Sequence, residues 1–178
     1  MLRGMNTLHT ARLTLLPQCA AHADAMFALL GDPLIYEHED EPPASVDALR
    51  TRFAWLESRR SADGREHWLN WVVRPVGAAD DMLIGYMQAT VRADGAALIA
   101  YVFGSAHWGR GLASEATAAV LDELAAHYRV SEFLAVLKRA NRRSLRLLER
   151  HGFVPAPAAA LAAHPIDADE LLMTLRRA

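Results

Sequence analysis

The apolar run Ala96 to Phe103 leads within a few residues into Trp108-Gly109-Arg110-Gly111-Leu112-Ala113-Ser114-Glu115-Ala116, and from there into a segment with helical periodicity. This is a strand handing over to a helix through a tight turn. Two glycines one residue apart let the backbone approach a ligand closely with its amide protons turned outward, and the helix that opens there adds partial positive charge. Such a turn is a place for a phosphate.

The elements on either side follow from periodicity and punctuation. Arg12 to Leu16 alternates like a first strand, ended by Pro17, and a helix is expected from about Ala20 to Leu30, closed by Gly31-Asp32-Pro33. Ser45 is a natural N-cap for a second helix whose Val46, Leu49, Phe53 and Leu56 form one apolar stripe. His67 to Arg74, Met82 to Val91 and Ala96 to Phe103 read as a meander of strands turned around Gly77 to Asp81 and at Asp94-Gly95. After the glycine turn, Ala113, Ala116, Thr117, Val120, Leu121 and Leu124 recur at helical spacing. Glu132 to Leu137 is a further strand, Asn141 to His151 a further helix stopped by Gly152, and Phe153 to Pro155 begins another strand. Ala156 to Pro165 reads as a loop in which Ala158 to Ala163 has helical composition, and Leu171 to Leu175 is the last strand. The order fits an α/β (α+β) fold, a mixed sheet with helices on both faces.

At 178 residues, with 52% apolar and 22% charged side chains, the chain suits a single domain over 1–178, residues 1–9 being a flexible extension. A formal charge of -2 gives no electrostatic warrant for nucleic acid or an anionic membrane. The single cysteine, Cys19, excludes an internal disulfide and a cysteine metal cage, and the eight histidines show no metal spacing. No metal site is expected. No stretch approaches the ~20 apolar residues of a spanning helix, so a cytoplasmic protein is expected. Assembly as a homodimer stays open.

Four blocks then carry a resemblance: Thr10-Ala11-Arg12-Leu13-Thr14-Leu15; Leu83-Ile84-Gly85-Tyr86; Trp108 to Ala113; and Asn141-Arg142-Arg143-Ser144-Leu145-Arg146-Leu147-Leu148-Glu149-Arg150-His151-Gly152-Phe153. In this order they resemble the GNAT superfamily of N-acetyltransferases, nearest the branch of the ribosomal-protein N-terminal acetyltransferases, from about Thr10 to Arg177. The resemblance implies a mostly antiparallel sheet of about seven strands splayed between the fourth and fifth, with about four helices on its two faces. It implies acetyl-coenzyme A as cosubstrate, with its thioester in the split, and an amine acceptor entering from the opposite side.

Within that frame the amides of Gly109, Gly111, Leu112, Ala113 and Ser114 become the donors to a pyrophosphate, with Trp108 opening the turn and Arg110 either adding charge or simply solvated. Asn141 is both an N-cap and a contact for the pantetheine arm. Ser144, one turn on, either points at the sulfur or bonds the Asn141 carbonyl. Tyr101, Val102 and Phe103 lie where the strands part, so their backbone groups need partners that the pantetheine can supply, and an amide near Tyr101 or Val102 can hold the acetyl oxygen. Tyr101 is otherwise a core aromatic. Glu37, Glu39, Asp40 and Glu41 form an acidic loop that is either merely solvated or attracts a protonated amine.

Two positions depart from the family. Leu148 stands where a tyrosine acid is common, and Leu98 where relatives of this branch often carry a glutamate. Ser144 or water is left as acid, and Glu37, Tyr101 or a water chain as base. A dinucleotide-binding turn fails because Lys138 and Arg139, not an acidic residue, follow the next strand. A module that binds acyl-coenzyme A without turning it over is the alternative to an enzyme. The acceptor's identity stays open.

Overall fold

A computed structural model describes residues 4–38 and 41–177 of the chain. Its centre is an eight-stranded sheet in the spatial order β1-β2-β3-β4-β5-β6-β8-β7. The strands are β1 (Leu8–His9), β2 (Leu13–Pro17), β3 (His67–Pro75), β4 (Gly85–Val91), β5 (Ala96–Phe103), β6 (Glu132–Lys138), β7 (Val154–Pro155) and β8 (Glu170–Arg176). All neighbours run antiparallel except β5 and β6, which are parallel. The helices are α1 (Ala23–Leu29), α2 (Val46–Leu56), α3 (Leu112–Tyr128), α4 (Arg142–Arg150) and α5 (Ala158–Ala163), with short 3-10 segments at Ala20–His22, Pro33–Glu37 and Ser105–His107.

Strand alternation divides the sheet into two faces. Trp71, Met87, Ile99, Phe133 and Met173 turn to one side and pack with Ala116, Val120 and Leu124 of α3 and Leu148 of α4. Val72 and Val102 turn to the other, beneath Met26 of α1 and Phe53 of α2. Ala96, Leu134 and Leu172 share that second face at its far end, covered by Ala160 of α5 and by Ile166. Ser45 caps α2 as its position implies, accepting from the Ala48 N–H at 3.1 Å.

The structure revises several sequence expectations. Residues 1–9 do not form a free extension throughout: β1 pairs with β2, Leu8 is buried, and the fully buried Trp71 donates its indole N–H to the Asn6 carbonyl at 2.9 Å. A two-residue strand carries too little alternation to register as a pattern. The strand expected from Met82 begins at Gly85, because Met82 and Leu83 bond within their own turn. The first helix is split, a 3-10 turn at Ala20–His22 preceding α1, since Cys19 and His22 bond each other's backbone N–H. Of the two options open for the alanine-rich segment 158–163, loop or helical turn, the helical one forms, as α5.

Candidate active site

β5 pairs with β4 along its length, from Gly85↔Phe103 to Val91↔Ala97, but with β6 only from Ala96↔Glu132 to Leu98↔Leu134. Beyond Leu98 the parallel pair parts and the sheet opens. Which groups enter the split follows from the ladder. Gly104 N–H donates to Ile84 O at 3.1 Å and Arg92 N–H to Ala96 O at 2.8 Å, fixing both ends of the β4–β5 register. Bonded and non-bonded pairs alternate in an antiparallel ladder, so Leu98, Ala100 and Val102 bond to β4 while Ile99, Tyr101 and Phe103 turn their peptide groups toward β6. The expectation for Val102 is thereby corrected: its amide belongs to the ladder opposite Tyr86. The Phe103 carbonyl is also engaged, accepting the Trp108 indole N–H at 2.8 Å.

Directly after this strand end the glycine turn takes the shape its composition demands. Gly109 has φ 71° and Gly111 φ 75°, the left-handed region that a side chain disfavours. Gly111 stands as N-cap of α3 with no side-chain cap, so the first amides of a seventeen-residue helix have no side-chain acceptor there. α4 differs: Asn141 Oδ1 accepts from the Ser144 N–H at 3.0 Å and satisfies its own helix start. The turn is braced from Arg12, the residue just ahead of β2. Arg12 donates through Nε to Glu115 Oε2 at 2.6 Å, through its backbone N–H to Oε1 at 2.9 Å, and through a guanidinium nitrogen to the Arg110 carbonyl at 3.0 Å. Burial pushes the Glu115 carboxyl up, but bonds from the Thr10 hydroxyl and from Arg12 outweigh it and hold its pKa below the ordinary value. Glu115 therefore ties helix, turn and strand as an anion.

Across the split, the Tyr101 hydroxyl and Ser144 Oγ lie 2.7 Å apart, joining β5 to α4. Ser144 thus bonds tyrosine rather than the Asn141 carbonyl. A cleft of about 400 Å³ runs past this pair. Of the residues singled out in the sequence, it is lined by Tyr101, Val102, Phe103, Trp108, Gly109, Gly111, Leu112, Ala113, Ser114, Asn141 and Ser144. Arg110 is exposed and does not line it; its carbonyl is what the fold uses. Glu37 also stands outside, at the rim, bonded to Arg143 at 3.2 Å. Arg143 lies 3.7 Å over the Trp108 ring. Glu39 and Asp40 of the acidic run fall outside the described residues.

Sequence reasoning missed Ile35, His38, Arg143, Arg146, Leu147 and Arg150, all cleft-lining. Ile35 and His38 reach it because the Asp32 carboxylate accepts from the Ser105 N–H at 2.9 Å and pins the 3-10 segment Pro33–Glu37 against the end of β5. That bond and one from the Leu34 N–H also hold the Asp32 carboxyl below its ordinary range. His107, just ahead of the glycine turn, lines the cleft too, and burial first, then Arg110, lowers its pKa. Ser114 Oγ meets His151 Nε2 at 2.9 Å, and burial lowers that imidazole's pKa as well. Leu148, at the place of the family's tyrosine, is buried in the core beside α3.

Comparison with known proteins bears on the family and the fold. Residues 12–154 match the model of the acetyltransferase (GNAT) domain. The chain belongs to the GNAT family, and its chemistry is acyl transfer. An uncharacterized N-acetyltransferase, p20, of Bacillus licheniformis is 26% identical over 151 residues, 84% of this chain and 83% of its own. In structure, this GNAT chain is similar to a ribosomal-protein-S5-alanine acetyltransferase of Vibrio fischeri, with a TM-score of 0.78 at 14% identity, covering 96% of each chain. It is likewise similar to RimL, a ribosomal L7/L12 alpha-N-protein acetyltransferase solved in complex with coenzyme A, with a TM-score of 0.76 at 15% identity, over 96% of this chain and 98% of that one. Both share the fold. Among the described residues of this GNAT chain, no helix is long and apolar enough to cross a membrane.

Proposed function

We propose that this chain, acting as a single domain, moves an acetyl group from acetyl-coenzyme A to a primary amine by direct attack in a ternary complex. One observation carries the reading: the α3 start without a side-chain cap, with its two left-handed glycines, opens onto the same cleft as the Tyr101–Ser144 pair. In this reading the amides of Gly109, Gly111, Leu112, Ala113 and Ser114 hold the pyrophosphate, where hydrogen bonds and helix dipole act together. Trp108 and Asn141 line the pantetheine channel, and the Phe103 and Tyr101 N–H groups face it. The Tyr101 N–H is the donor for the acetyl oxyanion.

A thiol with pKa about 8.5 leaves without full protonation in the transition state, so Ser144 needs only to donate a hydrogen bond to the sulfur while Tyr101 donates to Ser144. On the other side, His38 lines the cleft with the Glu37 carboxylate 3.8 Å from its ring, which suits it to take the amine's proton once the C–N bond has formed. Glu37 acts through His38 and Arg143 and does not meet the amine itself. The test is free-thiol release with a panel of amines, alongside acetyl-coenzyme A affinity by calorimetry. Asn141→Ala and Gly111→Val each lower transfer, the second by also weakening the cosubstrate. A folded Gly111→Val variant with full affinity would refute the placement.

A further inference from the structure

Ser114 is the third residue of α3 after its Gly111 N-cap, and it lines the cleft. Its hydroxyl behaves unlike that of Thr117 further along the same helix, which folds back to donate to the Ala113 carbonyl at 2.8 Å. The corresponding carbonyl for Ser114, that of Arg110, already accepts from Arg12 at 3.0 Å. Ser114 Oγ instead reaches across to α4 and meets His151 Nε2 at 2.9 Å. His151 is the C-cap residue of α4 and partly buried, and it does not itself line the cleft. The charged groups that bear on its ring are Arg177, which follows β8, and Asp122 of α3, and these two bond each other at 2.7 Å. Among the described residues, Ser114 is the side chain to which the imidazole is bonded.

A serine hydroxyl has one proton to give and lone pairs to offer, and a histidine nitrogen either donates or accepts according to its tautomer. When the Ser114 proton goes to His151, the hydroxyl turns a lone pair toward the start of α3. When His151 donates from Nε2, the serine proton is released to that same place. Phosphate oxygens at neutral pH only accept, so an anion at the helix start selects the second arrangement. We propose that His151 is a positioning residue for the cosubstrate, donating from Nε2 to Ser114 Oγ so that the Ser114 O–H is turned to the pyrophosphate of acetyl-coenzyme A. The neutral ring with its proton on Nε2 does this, and so does the imidazolium; the tautomer protonated only on Nδ1 does not. The inference rests on the reading that the α3 start holds the pyrophosphate, and it adds a side-chain donor to the backbone amides there.

The experiment measures acetyl-coenzyme A affinity by calorimetry, with steady-state thiol release, for the parent, Ser114→Ala, His151→Leu, His151→Gln and the double variant Ser114→Ala/His151→Leu. Expected is a loss of about tenfold in affinity for Ser114→Ala and for His151→Leu, the worth of one hydrogen bond to a charged group, with no further loss in the double variant because both remove the same bond. His151→Gln, whose amide can donate to Ser114 Oγ, keeps the parent's affinity. In His151→Leu the loss falls on KM for acetyl-coenzyme A and not on kcat, and it disappears when S-acetylpantetheine, which carries no phosphate, is the donor. Losses that add in the double variant, a His151→Gln as weak as His151→Leu, or an equal penalty with S-acetylpantetheine would each overturn the role of His151 while leaving acetyl transfer standing. A lowered melting temperature in His151→Leu with full affinity makes the bond a tie between helices and overturns it too. A folded Gly111→Val variant with full affinity overturns the pyrophosphate reading and the inference together.

Discussion

The Tyr101–Ser144 hydrogen bond, 2.7 Å long, joins β5 and α4 through two side chains able to pass a proton. If Ser144 steadies the departing sulfur and Tyr101 supports Ser144, Ser144→Ala lowers kcat by about tenfold to a hundredfold and Tyr101→Phe by less, while KM for acetyl-coenzyme A is unchanged. A purely structural pair would instead lower the melting temperature and leave kcat intact. Steady-state thiol release against pH separates these outcomes. Residues whose role is a backbone demand were legible beforehand: Gly109 and Gly111 because few other residues accept φ above 70°, Asn141 because a helix start needs an acceptor. His38, Ile35 and Arg143 were not. The place of His38 and Ile35 depends on Asp32 fastening one segment to another across the chain, and that of Arg143 on its seat over the Trp108 ring, contacts no local pattern encodes. The choice between the Tyr101 and Val102 amides needed the β4–β5 register, where one residue decides which way a peptide faces.

At the scale of elements, the lip of the split is packed from the other side of β5. A Cβ built on Gly85 would lie 2.4 Å from the Val102 carbonyl oxygen and 2.9 Å from the Phe103 ring, so β4 and β5 approach there as only glycine allows. Gly85→Ala is expected to destabilise by about 1–3 kcal/mol, the range for overpacking a tight interior. It must also displace Val102 and Phe103, the residues at the lip of the cleft. Denaturant melts read the first effect and acetyl-coenzyme A affinity the second; a stable variant with unchanged affinity would mean that β5 yields there freely. The long elements, β3, β5, α2 and α3, were readable from periodicity because each buries a face over many residues. β1 and α5 were not, one being two residues long and the other an alanine run whose composition suits both helix and loop. Leu148 follows the same logic: α4 turns that position into the core, so a hydroxyl there has no route to the cleft without a different helix rotation.

For the molecule as a whole, titrating groups are spread so that acid weakens both faces of the sheet together. His22, His67, His107 and His151 all have pKa values below the ordinary 6.5, burial being the largest cause in each. A folded state that binds a proton less readily than the unfolded chain is stable while both are neutral. Below the unfolded pKa the unfolded chain takes up protons first, and stability falls as pH drops. The loss therefore begins near pH 6.5 and continues downward, whereas Asp32, Glu115 and Glu170, held below their ordinary values, withdraw their contribution only at more acidic pH. Melting temperatures should be level from pH 8 to 7 and fall by a few degrees by pH 5.5, each ring's partial exposure to solvent limiting its share. His151→Gln keeps a partner for the Ser114 hydroxyl but cannot charge, so it should flatten part of that slope. A parent slope unchanged by His151→Gln would move the acid sensitivity to the other three imidazoles. If acetyl-coenzyme A holds the Ser114 turn in place, saturating cosubstrate shifts the whole curve to lower pH, because binding to the folded state opposes every step of that proton uptake.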